Sequence, residues 1–279
     1  AQRRAFAALQ QRMAVVGAQR AQAGGVDPQL ARVEQGHARV VAGAHRLQLA
    51  ALHDAAVAAA GGGQGPAPLR AALQAAADLV DAQMSPWKPG SDLMRLNRAP
   101  VDSWVDLPAE MLYVLDRALE ISRLSAGAFD PAVGALVDAW GFGTTQRKSP
   151  GSLNIDSLMQ FVGYDKLRLV GFKLSKADAR VKLDASAIAK GYACDIIAEK
   201  LEQAGIKDYL VEIGGEIRMA GLNPKGQLWK VGIDKPIDDS LAVERELQAA
   251  LALTGKGMAT SGNYRNFYKI QNQKLGHTI

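Results

Sequence analysis

Residues 184–219 read DASAIAKGYACDIIAEKLEQAGIKDYLVEIGGEIRM, and the spacing of their apolar side chains changes from helical to alternating. The first part predicts a helix between Asp184 and Gly205, where a glycine suits a left-handed helix end. Residues 209–213 then alternate in the pattern of a half-buried strand, and residues 217–219 resume that pattern after two glycines. The stretch therefore predicts one helix followed directly by strands.

Similar patterns flank this stretch on both sides. Apolar residues from Leu69 to Val80 recur at helical spacing, in a helix that Pro86 is expected to end. A second helix is expected to begin near Pro108 with Asp106 as its cap, and residues 229–233 alternate as another strand. Because helices and strands alternate irregularly and adjacent strands are joined by short turns, an α+β sandwich is favoured over a doubly wound parallel sheet.

The composition is that of a folded protein. Of 279 residues, 48% are hydrophobic and 22% are charged, so the chain can bury a substantial core in one large domain or two ordinary ones. The formal net charge is +5, but lysines alternate with acids from Lys148 onward. That pattern indicates a solvated mixed surface and argues against a nucleic-acid partner. The single cysteine, Cys194, excludes an intramolecular disulfide and is expected to be an inert core thiol.

The first 63 residues differ from the rest in being rich in Ala, Arg and Gln and free of lysine. They are expected to form a segment of irregular, partly helical structure, separated by a glycine-rich linker from a domain over residues 64–279. No window approaches the apolar length of a membrane span. The chain begins at Ala1 and not at Met, so a membrane association is expected only through an export signal or lipid anchor that has been removed.

Several short segments carry the groups from which phosphate and sugar sites are built. Residues 125–131 contain a serine, a glycine and Asp130, followed by Pro131, which can open a helix. This segment is interpreted either as an anion site or as a capped helix start. Residues 181–191 place Asp184 and Lys190 at a helix start, where a lysine can meet a diphosphate, or form an ordinary strand-to-helix corner. Residues 212–216 place two glycines in a strand, marking a close approach or a bulge.

Taken together and in order, these segments resemble the successive motifs of the ApbE-type FAD:protein FMN transferases. The resemblance extends from about residue 69 to residue 279. The segments that carry it are 84–87 (MSPW) with 91–97 (SDLMRLN), 127–131 (GAFDP), 140–143 (WGFG), 184–192 (DASAIAKGY), 212–216 (EIGGE), 259–262 (ATSG) and 277–279 (HTI).

The resemblance implies a T-fold-like α+β core of antiparallel sheets and packed helices that binds FAD. With Mg²⁺, such a protein transfers FMN to a threonine or serine of a target protein and releases AMP. By position, the flavin contact is Trp87, further FAD contacts are Ala128, Phe129, Asp130, Asp184, Lys190 and Ile279, and the Ala187 carbonyl is a metal ligand. The implied partner is a flavin-acceptor protein, a redox or electron-transport subunit, and the implied location is the periplasm or cell surface, as in an inner-membrane lipoprotein.

Two features of the family have no counterpart between residues 1 and 279: its first strand and its C-terminal metal-binding segment. The sequence is therefore expected to bind flavin better than it transfers FMN, because Mg²⁺ usually needs one or two carboxylates. Two other functions stay open, a non-catalytic flavin-binding module and an FAD pyrophosphatase. A structural helical adaptor built on residues 1–63 is a more distant alternative.

Overall fold

The computed structural model describes residues 58–59, 67–144, 154–237, 246–262, 264, 267–270 and 273–276. The predicted N-terminal segment 1–63 lies outside the described residues except for a two-residue strand. The helices are α1 (Ala67–Met84), α2 (Asp92–Arg98), α3 (Ala109–Leu124), α4 (Gly134–Ala139), α5 (Ile155–Met159) and α6 (Ala189–Gln203). The strands are β1 (Ala58–Ala59), β2 (Val105–Asp106), β3 (Leu167–Val170), β4 (Lys173–Lys176), β5 (Tyr209–Ile213), β6 (Glu216–Ala220), β7 (Trp229–Asp234), β8 (Leu247–Leu253), β9 (Lys256–Ala259), β10 (Phe267–Ile270) and β11 (Gln273–Gly276).

The strands form small antiparallel sheets. Four strands make a sheet in the order β1-β5-β6-β9, and three make another in the order β2-β4-β3. The pairs β7–β8 and β10–β11 are two-stranded. Helices accompany these sheets along the chain, so the expected α+β class with antiparallel sheets is confirmed.

Strands β5 and β6 are joined by Gly214 and Gly215, with Ile213 opposite Glu216 in the register. The two glycines have φ angles of 58° and 96°, the backbone of a two-residue hairpin turn that glycine favours. The alternative prediction of a β-bulge is wrong, because the two glycines lie between β5 and β6 and not within one strand. A Cβ on Gly215 would come within 2.8 Å of the side-chain oxygen Oγ1 of Thr260, so a side chain closely approaches this turn, and the predicted approach of a ligand stays a prediction.

Helix α6 forms the centre of the core. It packs against α1 on one side and against β5 and β6 on the other. Its buried residues include Cys194, whose thiol pKa burial raises to about 12. Cys194 is buried, as expected for a core cysteine, and a thiol with this raised pKa is protonated near neutral pH.

The boundaries of three elements differ from the sequence-based predictions. Helix α6 begins at Ala189, five residues after Asp184, because residues 184–188 form a turn held by other contacts. Asp106 does not cap α3, since it lies in β2 and Pro108 is the capping residue. Pro131 does not open a helix, because it lies in a turn and α4 starts at Gly134.

Among the described residues, none of the helices has the length and apolar character needed to cross a membrane. The longest of them, α1, is 18 residues and carries its buried side chains on one side.

The core position of α6 can be tested with one substitution at two places. Leu201 in α6 is 1% exposed, whereas Leu124 at the end of α3 is 80% exposed. Leu201→Ala is expected to lower the free energy of unfolding by about 2–5 kcal/mol, because it removes buried methyl groups and leaves a cavity. The matched control Leu124→Ala is expected to stay within about 0.5 kcal/mol of the parent. Urea unfolding of both variants measures the difference, and equal losses would place α6 outside the core.

Candidate functional site

The centre of the candidate site is a short parallel contact between residues 131–134 and residues 182–184. Val133 and Lys182 form an isolated parallel bridge. Asp184 N donates to Pro131 O at 2.8 Å, and Gly134 N donates to Lys182 O at 2.9 Å. A Cβ on Gly134 would lie 2.8 Å from Lys182 O, so this approach requires glycine. The contact places the Asp130 loop beside the start of the segment that leads into α6.

Asn97 fixes the same segment from the side of α2. Its side chain accepts from Leu183 N at 2.8 Å and donates to Leu183 O at 2.9 Å. One amide therefore satisfies both backbone groups of a buried residue, in the way that a neighbouring strand would.

Lys176 holds the same segment through buried hydrogen bonds. It is 1% exposed, and its ammonium donates to the carbonyls of Asn97 at 2.8 Å, Val181 at 3.1 Å and Ala179 at 3.3 Å. Burial lowers the pKa of this ammonium, while the neighbouring Asp178 opposes the shift. Since a buried ammonium must be hydrogen-bonded, Lys176 ties α2 to the segment before Asp184.

Asp130 uses both carboxylate oxygens to shape its own loop. Oδ1 accepts from Ala132 N and Oδ2 accepts from Tyr164 N, each at 2.8 Å. Burial raises the pKa of Asp130, and these two hydrogen bonds oppose the shift. Phe129 is half-buried in the same loop, where its N–H donates to Ser125 Oγ at 3.1 Å, and Ala128 is exposed.

Asp184 and Ala187 lie in the turn before α6. Asp184 Oδ1 accepts from Ser186 N at 2.7 Å, so one carboxylate oxygen closes the turn. Ala187 is exposed, and among the described residues no donor reaches its carbonyl oxygen. This carbonyl is available to a cation or a water molecule.

Lys190 lies in the first turn of α6 and reaches the β5–β6 turn. Its ammonium is 2.8 Å from Glu216 Oε2 and donates to Gly214 O at 3.3 Å. Burial raises the pKa of Glu216, and Lys190 opposes the shift. On the other side of the turn, Thr260 N and Thr260 Oγ1 both donate to Gly215 O at 3.2 Å. A cation is therefore held at the start of α6, where the helix dipole also favours anions.

Trp87 is half-buried in the turn between α1 and α2. The backbone N–H of Trp87 donates to Ser85 Oγ at 3.3 Å, and the carbonyl oxygen of Ser85 accepts from Ser91 Oγ at 2.7 Å. Ser91 Oγ also accepts from Met94 N and so caps α2, the helix that carries Asn97. Trp87 is thus linked to the site through α2 and its cap.

The parallel contact brings the backbone next to Asp130 beside that of Asp184, and Ala187 and Lys190 follow Asp184 in the turn and in the first turn of α6. Ile279 lies outside the described residues. Sequence reasoning gave no role to Asn97, Lys176 or Glu216. Asn97 and Glu216 stand inside segments that carry the family resemblance, which was the signal available for them. Lys176 stands outside those segments and reads as one more surface lysine.

The described residues do not by themselves form a magnesium centre. None of them cluster as three His, Cys, Asp or Glu side chains that could hold a metal ion. The Ala187 carbonyl and the second oxygen of Asp184 supply at most two oxygens, whereas Mg²⁺ takes six in near-octahedral geometry.

The two hydrogen bonds between the Asn97 side chain and the backbone of Leu183 form a clamp. This clamp predicts that the stability of the protein depends on the amide group of residue 97. Asn97→Asp keeps the shape of the side chain but replaces a donor by an oxygen that faces Leu183 O. We expect the free energy of unfolding to fall by about 1–3 kcal/mol, because a buried carbonyl loses its donor. Asn154→Asp is the matched control, since Asn154 caps α5 by accepting from Ser157 N and an aspartate does this equally well. Urea unfolding compares the two, and similar small changes in both variants would contradict the clamp.

Comparisons with known proteins identify the family of the chain. A family model described as the ApbE family matches residues 46–279. The FAD:protein FMN transferase of Haemophilus influenzae is 39% identical over 207 residues, which cover 72% of this chain and 59% of that protein. The enzyme of the same description from Escherichia coli K12 is 35% identical over 219 residues, covering 76% of this chain and 61% of that protein. The chain thus spans about three fifths of the length of these curated relatives.

Solved structures give the same result. The flavin transferase ApbE from Vibrio cholerae superposes with a TM-score of 0.67 at 32% identity, covering 78% of this chain and 69% of that chain. The apo form of the flavinyl transferase ApbE from Pseudomonas stutzeri also gives a TM-score of 0.67 at 32% identity, covering 80% and 69%. The family model begins at residue 46, so it extends further toward the N-terminus than the motifs seen in the sequence. The chain belongs to the ApbE family.

Proposed function

We propose that this chain binds FAD and transfers its FMN part to a serine or threonine hydroxyl of a target protein, releasing AMP. The observation that carries the proposal is the cation held at a helix start: Lys190 is fixed between Glu216 and the Gly214 carbonyl beside the Asp184 turn. The family relationship supports it, since the matched relatives of Haemophilus influenzae and Escherichia coli are FAD:protein FMN transferases.

The reaction needs positioning and charge neutralisation more than covalent chemistry. The hydroxyl oxygen of the acceptor forms a bond to the phosphorus on the FMN side of the diphosphate. The bond from that phosphorus to the bridging oxygen breaks, AMP leaves with that oxygen, and the hydroxyl proton passes to solvent. Negative charge grows on the phosphate oxygens in such a step, so a fixed cation and backbone N–H groups lower its barrier. Lys190, in the first turn of α6, is a group of this chain suited to that task.

The rest of the site would hold the two ends of FAD. Trp87 offers an aromatic face for the isoalloxazine ring. The Ala128–Phe129–Asp130 loop lies beside the Asp184 turn, so it can contact the nucleotide part. Asp130 and Asp184 already accept hydrogen bonds from the backbone, so they act partly by fixing the loops that carry them.

Magnesium belongs to the proposal as a bound cofactor. The exposed Ala187 carbonyl would supply one oxygen, and the FAD diphosphate and water would supply others. When bound, the ion would add neutralising charge at the phosphates.

The acceptor and the location are also proposals. A protein that receives covalent FMN gains a redox group, so we propose a redox or electron-transport subunit as acceptor. We further propose that the protein acts in the periplasm or at the cell surface. Cell fractionation with detection of the full-length protein tests the location, and its recovery with the cytoplasmic fraction would contradict it.

Release of AMP from FAD tests the function directly. The purified chain is incubated with FAD and Mg²⁺, with and without a flavin-acceptor protein, and AMP is quantified. AMP that appears only with acceptor is expected. Release that does not depend on the acceptor would show an FAD pyrophosphatase, and FAD binding without AMP release would show a flavin-binding module.

The proposed nucleotide contacts predict a loss of affinity on removing two carboxylates. Asp130→Ala together with Asp184→Ala is expected to weaken FAD binding by about tenfold, because the loops that carry these residues lose their fixing hydrogen bonds. Asp78→Ala on the exposed face of α1 is the control and is expected to change nothing. Titration followed by flavin fluorescence measures both, and an affinity within twofold of the parent for the double variant would show that the site is misassigned.

The role of Lys190 predicts a salt dependence. Lys190→Ala is expected to weaken FAD binding more at low salt than at high salt, since a lysine near a diphosphate acts as a point charge that ions screen. Riboflavin has no phosphate and is expected to bind nearly unchanged. Lys200→Ala in the same helix is the matched control, because Lys200 is exposed and its ammonium donates to Gln203 Oε1 on the surface of the helix. Equal losses for FAD and riboflavin would show that Lys190 supports the fold instead.

A further inference from the structure

Glu216 is a buried carboxylate that the proposed chemistry does not yet use. It is 8% exposed and opens β6 directly after the Gly214–Gly215 turn. Its Oε2 has no hydrogen-bond partner among the described residues, although the Lys190 ammonium lies 2.8 Å away. A buried carboxylate with one close cation and no other partner on that oxygen depends on that cation.

The backbone of Glu216 is fixed from two sides. Cys194 Sγ donates to Glu216 O at 3.2 Å from α6. The adjoining turn is held by Thr260, which donates twice to Gly215 O. The carboxylate therefore has a set position relative to the first turn of α6, where Lys190 lies.

Lys190 has three N–H donors. Gly214 O accepts one hydrogen bond at 3.3 Å and Glu216 Oε2 attracts the ammonium at 2.8 Å, so at least one of the three donors remains for a ligand. The side chain of Lys190 is 27% exposed, which leaves the ammonium accessible from solvent. With Glu216 present, the ammonium stays near the β5–β6 turn rather than sampling the many rotamers of a free lysine.

We infer that Glu216 is the positioning residue of Lys190: it holds the ammonium so that its remaining donor meets the diphosphate of FAD. This inference rests on the proposed FAD binding. If Lys190 left Glu216 to reach the ligand, the carboxylate would stay buried without a cation, so the ammonium bridges carboxylate and phosphate in the bound state. The pKa of Glu216, raised by burial, is consistent with that dependence.

Two possible roles of Glu216 predict opposite changes in FAD affinity when its charge is removed. If the carboxylate acted only as a negative charge near the diphosphate, removing it would tighten FAD binding. If it positions Lys190, removing its charge weakens FAD binding because the cation is no longer held. Glu216→Gln keeps the size of the side chain and removes its negative charge, so it separates the two roles.

The test measures FAD and riboflavin dissociation constants for the full chain and its variants Glu216→Gln, Lys190→Met and both together. Glu216→Gln is expected to weaken FAD binding about tenfold, a coupling usual for residues in contact, and to leave riboflavin within twofold. In the Lys190→Met background the same change is expected to alter FAD binding less than twofold. Glu216→Asp keeps the charge but shortens the reach, so an intermediate loss is expected, and it serves as the second variant if Glu216→Gln does not fold.

Tighter FAD binding by Glu216→Gln, equal losses for FAD and riboflavin, or full additivity with Lys190→Met would each overturn the inference and leave the proposed function in place. A parent chain that binds no FAD would overturn the proposed function, and the inference with it.

Discussion

The backbone of residues 181–184 has to be held in one place, because the Asp130 loop and the start of α6 are both attached to it. Asn97 holds both backbone groups of Leu183, and the buried Lys176 ammonium ties Val181 and Asn97 to the same point. The contact with residues 131–134 depends on this clamp. Asn97 and Lys176 thus hydrogen-bond backbone groups that a neighbouring strand would otherwise bond. The energetic cost of burying these two polar side chains is offset by their hydrogen bonds.

The sequence predicted those elements whose pattern repeats over several residues. Helix α1, helix α3 and strands β5 to β7 follow from apolar spacing, since each buries one face. The start of α6 was misplaced because residues 184–188 have helical composition but are held in a turn by Pro131 and the Asp184 side chain. The Pro131 contact joins residues that are distant along the chain, and local spacing carries no trace of it.

The candidate site residues were predicted for a different reason. Trp87, Asp130, Asp184, Ala187 and Lys190 were assigned through the order of short motifs, not through their chemistry, and their roles stay predictions. The clamp formed by Asn97 and Lys176 was missed because its partners are backbone atoms, which any sequence supplies. Glu216 was quoted within a motif, but its pairing with Lys190 appears only when the β5–β6 turn is folded against α6.

The account rests on one claim, that FAD binds at the start of α6 and loses its FMN to a hydroxyl of another protein. Intact-mass spectrometry of a purified flavin-acceptor protein tests it, after incubation with this chain, FAD and Mg²⁺, with an acceptor variant that lacks the modified hydroxyl as control. The account predicts that the acceptor gains the mass of one FMN less one water, that the control gains nothing, and that Lys190→Ala slows the gain. An unchanged acceptor mass in the presence of bound FAD would contradict the claim.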